Sequence, residues 1–189
     1  MAKTQSNAVV ALGANLSLRD NGPKATLEQA LVAMAEAGLV IRAESRFFAT
    51  PCFPAGAGPD YVNAAALIET DRTPQQVLDV LHQIEHAFDR ARVQRWGMRT
   101  LDLDLVSWDN LVLPDVTEYN RWRMLPAEDQ RQLAPEQLIL PHPRLQDRAF
   151  VLVPMADVAP DWRHPVLGQT VTEMVAALPP GDVASVTAL

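Results

Sequence analysis

The chain has a single cysteine, Cys52, in 189 residues, which excludes an intramolecular disulfide and any thiolate metal cluster. That scarcity fits a reducing compartment. No stretch approaches the roughly 18 consecutive apolar residues of a membrane-spanning helix, and the opening M-A-K-T-Q-S-N lacks the apolar core of a secretory leader. A soluble, cytoplasmic protein is the expectation. Cations are in the minority: 16 Lys and Arg stand against 23 Asp and Glu, and the net charge of -7 argues against a general nucleic-acid binder. No G-x-x-x-x-G-K-[ST] segment occurs, so a nucleotide here is not cradled by a P-loop. There is no internal repeat. With 48% hydrophobic residues the chain can build one sizeable core, and a single domain over residues 1–189 is predicted.

What the sequence does have is concentrated between Arg90 and Trp108, R-A-R-V-Q-R-W-G-M-R-T-L-D-L-D-L-V-S-W. Arg90, Arg92, Arg95 and Arg99 supply a quarter of the 16 basic residues within ten positions. A strand-like alternation follows, with Leu101, Leu103 and Leu105 on one face and Asp102 and Asp104 on the other. Guanidinium groups bind phosphate oxygens bidentately and keep their charge. Paired carboxylates are hard oxygen ligands suited to Mg²⁺, which completes its shell with water and phosphate. This juxtaposition points to a magnesium-bound polyphosphate.

Around that segment the elements read in order. Residues 8–12 form an apolar strand ending in a turn at Gly13, Ala14 and Asn15, and Lys24 to Ala37 form an amphipathic helix with Gly38 as its C′ residue. Residues 39–50 read as one strand, 51–59 as a proline- and glycine-rich loop, and Tyr61 to Thr70 as a further strand. Thr73-Pro74-Gln75-Gln76 is a capping box opening a helix whose buried stripe is Val77, Val80, Leu81, Ile84 and Phe88, with Glu85 beside it. The order β-α-β-β-α-β predicts a ferredoxin-like α+β fold, an antiparallel sheet with its helices on one face and C-terminal additions. Asp102 and Asp104 then lie on a helix-free face. Residues 114–137 read as an insertion or long connection, residues 138–144 as extended because of their prolines, and residues 169–178 as a last helix.

Each candidate has a plainer reading. A D-x-D strand is commonly a solvated polar face. Two carboxylates about 7 Å apart repel by roughly 2–3 kcal/mol at an effective dielectric near 20, which does not by itself demand a metal. Trp96 is equally a hydrophobic anchor or a stacking surface. Gly13 reads as a turn glycine, His142 as a hydrogen-bonded structural histidine or a catalytic base, and Tyr61 and Asn63 as ordinary strand packing.

Taken together, G-A-N-L at 13–16, F-F-A-T-P at 47–51, P-D-Y-V-N-A-A at 59–65, R-W-G-M-R-T-L-D-L-D-L at 95–105 and L-P-H-P-R with R-A-F between 140 and 150 resemble the hydroxymethyldihydropterin pyrophosphokinase (HPPK) family, over a core of about 8–160. The resemblance implies transfer of the pyrophosphoryl group of ATP to the hydroxymethyl of 6-hydroxymethyl-7,8-dihydropterin, releasing AMP, in folate biosynthesis. By that likeness Asp102 and Asp104 bind two Mg²⁺ ions, and Arg90, Arg92 and Arg99 neutralise charge on the transferred group. ATP, the co-substrate, would also meet Glu85, Arg95, Trp96, His142 and Arg148. The pterin would meet Thr50, Pro51, Phe53, Tyr61, Asn63, Trp96, Asp102 and Phe150. Cys52 and Phe53 stand where many relatives have proline and leucine. A monomer with small-molecule partners is expected, and the charge and hydropathy above argue against nucleic acid and membrane as partners. Two rivals on the same scaffold are a non-catalytic pterin or nucleotide sensor and an RNA-binding module. The intact D-L-D and arginine set speaks against the first, and the acidic charge against the second.

Overall fold

The computed structural model describes residues 5–18, 21–52, 58–88 and 100–189. Strand β1 (Ser6–Ala14) leads to helix α1 (Pro23–Glu36), strands β2 (Val40–Glu44), β3 (Phe48–Thr50) and β4 (Tyr61–Thr70), helix α2 (Pro74–Ala87) and strand β5 (Asp102–Trp108). Then come α3 (Val116–Arg123), α4 (Ala127–Gln132), α5 (Ala149–Val158), α6 (Val171–Ala177), α7 (Pro180–Ala184) and β6 (Thr187–Ala188). One antiparallel sheet runs β5-β1-β4-β3-β6, with β2 also pairing β4. The α+β fold with a βαββαβ core is as expected.

Local chemistry sets the helix ends. Thr73 and Gln76 form the reciprocal cap of α2, with Gln76 N donating to Thr73 Oγ1 at 3.3 Å and Thr73 N to Gln76 Oε1 at 2.9 Å. Helix α1 stops because Gly38, at φ 85°, takes the left-handed conformation, letting Gly38 N reach Ala35 O and Leu39 N reach Met34 O. Arg72 then donates to the terminal carbonyl of Ala37 at 2.6 Å.

The leucines of the Leu/Asp strand do what their alternation predicts. Leu101, Leu103 and Leu105 pack with Val10 and Leu12 against Leu27, Leu31, Val77 and Leu81 of α1 and α2. Each such side chain contributes about 1.5–3 kcal/mol by leaving water.

Three expectations need correction. The second sheet face is not helix-free: Val9, Ala65 and Val106 are covered by Leu152 and Met155 of α5 and Val171 and Met174 of α6. Helix α5 is apolar nearly all round, so it carries no clear periodic stripe, and a chain of this hydrophobicity has apolar residues enough for two cores. Residues 39–50 are not one strand. Ser45 Oγ accepts the Ala65 N–H at 2.8 Å, and Arg46 turns out to grip Asp157 of α5 with Nε and Nη2, both at 2.9 Å, so the pairing breaks between β2 and β3. Gly13 is not a turn residue but lies inside β1, paired with Asn63 on one side and Asp102 on the other.

Strand β5 also carries a bulge. Val10 pairs Leu105, but Val9 pairs Ser107, so Val106 is an extra residue. Its carbonyl accepts the His142 N–H at 2.9 Å, and Leu113 bridges Leu140, so residues 140–142 are held beside β5.

Helix α3 is tied to the C-terminal region by buried polar groups. Tyr119 and His164, each fully buried, meet through Oη and Nε2 at 2.8 Å. Val166 N and Leu167 N donate to His164 Nδ1, so Nε2 carries the ring proton and donates to Tyr119 Oη. Burial pushes the Tyr119 phenol up to about 12 and the His164 imidazole down to about 4. Among the described residues no helix is long and apolar enough to cross a membrane.

Candidate active site

Register places the candidate residues on one sheet face. Phe48 pairs Asn63, Asn63 pairs Gly13, and Gly13 pairs Asp102, so the four stand in line across β3, β4, β1 and β5. Directly paired residues project to the same side. Thr50 and Tyr61 are paired one step along. Asp104 pairs Ala11, so the two carboxylates face glycine and alanine and no bulky neighbour on β1 covers them. Asp102 and Asn63 are two strand spacings apart, roughly 10 Å, comparable with the long dimension of a bicyclic heterocycle.

The Asn63 amide is fixed from both sides. Its Nδ2 donates to Thr50 Oγ1 at 2.6 Å in a buried bond. A Cβ on Gly13 would lie 3.0 Å from Asn63 Oδ1, so only glycine lets the amide approach the backbone this closely. Asn15, 2% exposed, donates from Nδ2 to Pro59 O at 3.2 Å and anchors the end of the 51–59 loop to β1. On that loop Pro51 is exposed, and Cys52 N donates to Asp60 Oδ1 at 3.2 Å.

Glu85 is 1% exposed, and its Oε1 accepts the Leu103 N–H at 2.9 Å, between the two aspartates in sequence. It therefore holds β5 in place from α2. Thr100 Oγ1 donates to Phe88 O at 3.0 Å, joining the end of α2 to the residues just before Asp102.

The 140–150 segment completes the neighbourhood. His142 Nδ1 accepts the Arg144 N–H at 3.0 Å, so the neutral ring carries its proton on Nε2. Burial, then the Arg148 charge, pushes the imidazole down to about 3, leaving a neutral N–H donor throughout the physiological range. Arg148 sits at the N-cap of α5 with its guanidinium 5.8 Å from the centre of the Phe150 ring, which is 42% exposed.

Phe53, Arg90, Arg92, Arg95, Trp96 and Arg99 lie outside the described residues. Of the remaining candidates, Thr50, Tyr61, Asn63, Asp102 and Asp104 share the sheet face, and Glu85 is a buried support. Sequence reasoning undervalued Gly13, Asn15 and the Arg144 amide. The G-A-N run after an apolar strand was the only signal for the first two, and a backbone donor has none. Two clefts lie elsewhere: about 670 Å³ between α1 and β2, beside Leu31, Val32, Val40 and Phe47, and about 410 Å³ near Asn7, Asp109 and Trp162.

No three His, Cys, Asp or Glu side chains converge among the described residues. Two half-buried carboxylates beside small β1 neighbours nonetheless fit a hard divalent cation that arrives with a polyphosphate, since Mg²⁺ commonly takes one or two protein carboxylates and fills its shell from water and phosphate.

Residues 9–160 match the family model of 7,8-dihydro-6-hydroxymethylpterin-pyrophosphokinase (HPPK). A 2-amino-4-hydroxy-6-hydroxymethyldihydropteridine pyrophosphokinase from Synechocystis sp. is 36% identical over 169 residues, 89% of this chain and 74% of that protein. The protein of the same name from Haemophilus influenzae is 35% identical over 170 residues, 89% of this chain and 90% of its own length. A solved Plasmodium falciparum HPPK-DHPS chain with pteroate superposes with a TM-score of 0.64 at 13% identity, over 93% of this chain. This chain spans 43% of that one, and the likeness concerns the fold alone.

Proposed function

The chain belongs to the HPPK family, and from that membership we propose that it transfers the pyrophosphoryl group of ATP to the hydroxymethyl oxygen of 6-hydroxymethyl-7,8-dihydropterin, releasing AMP, in folate biosynthesis. The observation that supports this reading is the alignment of Asn63, Gly13 and Asp102 across three strands, with an amide at one end and a carboxylate at the other on one sheet face.

In this reading the Asn63 amide, held by Thr50, meets the donor and acceptor edge of the pterin, and Tyr61 and Phe150 line the ring with Trp96 and Phe53. Pro51 shapes the rim. The hydroxymethyl group then points to Asp102, which accepts its proton as the oxygen attacks the β-phosphorus and the bond to the α–β bridging oxygen breaks. Asp102 and Asp104 would hold two Mg²⁺ ions, whose chemistry is charge neutralisation on the phosphates and a lowered pKa of the bound hydroxyl. His142 donates from Nε2 to a phosphate oxygen, while Arg148, Arg90, Arg92, Arg95 and Arg99 supply fixed positive charge as it develops. Little covalent help is needed, because positioning and charge stabilisation carry most of such a transfer. Glu85 acts through β5 rather than on the nucleotide. One chain supplies both ends of the strip, so we propose a monomer made of a single domain, and the single cysteine fits a cytoplasmic location.

The test is AMP release from ATP with and without pterin and with and without Mg²⁺. Release that requires all three components supports the assignment. Pterin binding without AMP formation would favour a sensor instead.

A further inference from the structure

We infer that β6 and Val186 are positioning elements for the pterin subsite, although they lie far along the chain from every candidate residue. This rests on the functional reading above. Strand β3 is three residues long and pairs with β4 only through Phe48, Ala49 and Thr50. A strand so short with one neighbour is marginal. Strand β6 pairs its other edge, Ala188 with Phe48 and Thr187 with Ala49. Leu189 N donates to Phe47 O at 2.9 Å, and Thr187 Oγ1 to Ala49 O at 3.4 Å. The next residue is Thr50, the acceptor that orients Asn63.

The same tail reaches the opposite wall. Val186, Phe48 and Ala149 form a small separate core, at 9%, 3% and 8% exposure, with Val153 and Leu178 packed around it. Ala149 is the first residue of α5 and the neighbour of Phe150. Phe48 is the direct register partner of Asn63. One apolar contact therefore braces both the amide-reading wall and the aromatic wall, and loosening it lets Thr50 and Phe150 drift without touching Asp102 or Asp104.

The test compares Val186→Ala and a chain truncated after Ala184 with Val158→Ala, which opens a cavity at the far end of α5. Binding of 6-hydroxymethylpterin is followed by its fluorescence, and KM and kcat by AMP release. We expect both Val186→Ala and the truncated chain to raise the pterin dissociation constant and KM about tenfold, the factor carried by one misplaced hydrogen bond. The KM for ATP should hold steady and kcat at saturation change by less than about threefold. Val158→Ala should lower the melting temperature without moving pterin affinity. Unchanged pterin affinity in Val186→Ala, or an equal change in Val158→Ala, overturns the inference. If the truncated chain does not fold, Val186→Ala alone decides. Failure of the unaltered protein to bind pterin overturns the functional reading and takes this inference with it.

Discussion

Replacing Gly13 by alanine tests the site by a single added carbon. The new Cβ would lie 3.0 Å from Asn63 Oδ1, closer than a side-chain carbon rests against oxygen, so the amide must retreat by a few tenths of an ångström. Retreat toward Thr50 is blocked, because Asn63 Nδ2 is already 2.6 Å from Thr50 Oγ1. Rotation of the amide remains, and it turns the Asn63 edge away from the ligand. A hydrogen bond misplaced in this way is worth about 1–1.5 kcal/mol, or roughly a tenfold loss in affinity. The strand itself gains from losing a glycine by about 0.5–1 kcal/mol, which offsets strain at Asn63, so net stability should move by less than about 1 kcal/mol. The expected result is a pterin KM raised about tenfold with an unchanged KM for ATP and a melting temperature within a few degrees. AMP release at varied pterin and ATP, with a thermal melt alongside, measures all three. A pterin KM within twofold of the original would refute the claim that Gly13 sets the Asn63 amide.

Asp102→Ala and Asp104→Ala should each lower AMP release by at least about a thousandfold while melting as the parent does, since on the proposed mechanism each would lose a ligand of the phosphate-bound cation; normal turnover in both would remove the carboxylates from the mechanism. Arg99→Ala should lower kcat more than it weakens pterin binding, and an unchanged kcat would count against a phosphate clamp. Stability should fall in mild acid through His164. Its imidazole is held at about 4, first by burial and then by Arg123, against about 6.5 in an unfolded chain, so the stability it contributes is complete above the unfolded value and is lost as pH drops from there toward 4. That amounts to about 2 kcal/mol between pH 7.5 and 5. Denaturant titrations at the two pH values should show a correspondingly shallower slope in His164→Gln, and an equal slope would show that the loss arises elsewhere.

Much of the fold was legible where local chemistry decides. The Thr73 capping box, the Gly38 stop and the Leu101-Leu103-Leu105 face all formed as their residue types require. Position 13 was misread because a glycine signals both a turn and a close approach, and only the register with Asn63 tells them apart. The break at Ser45–Arg46 was hidden because its causes, the Ala65 amide and Asp157, lie 20 and 111 residues away. Helix α5 was not assigned because its apolar residues run without period and include Pro154. At the site, the motif residues and Glu85 are visible as types in sequence, but what holds them is not: the Leu103 amide on Glu85 and the Arg144 amide on His142 have no pattern of their own.

The extra residue in β5 keeps two incompatible tasks out of each other's way. Before it, even-numbered side chains, Asp102 and Asp104, share the face of Asn63; after it the phase inverts, and Trp108, 5% exposed, joins the interior beneath α1 and α2. Deleting Val106 would restore an unbroken alternation with the acids and the indole still on opposite faces, and would cost the second core one buried side chain. At the present residue count it is the bulge that keeps the indole and the acids apart: straightening β5 without removing a residue would carry one end through the sheet, so count and bulge have to change together.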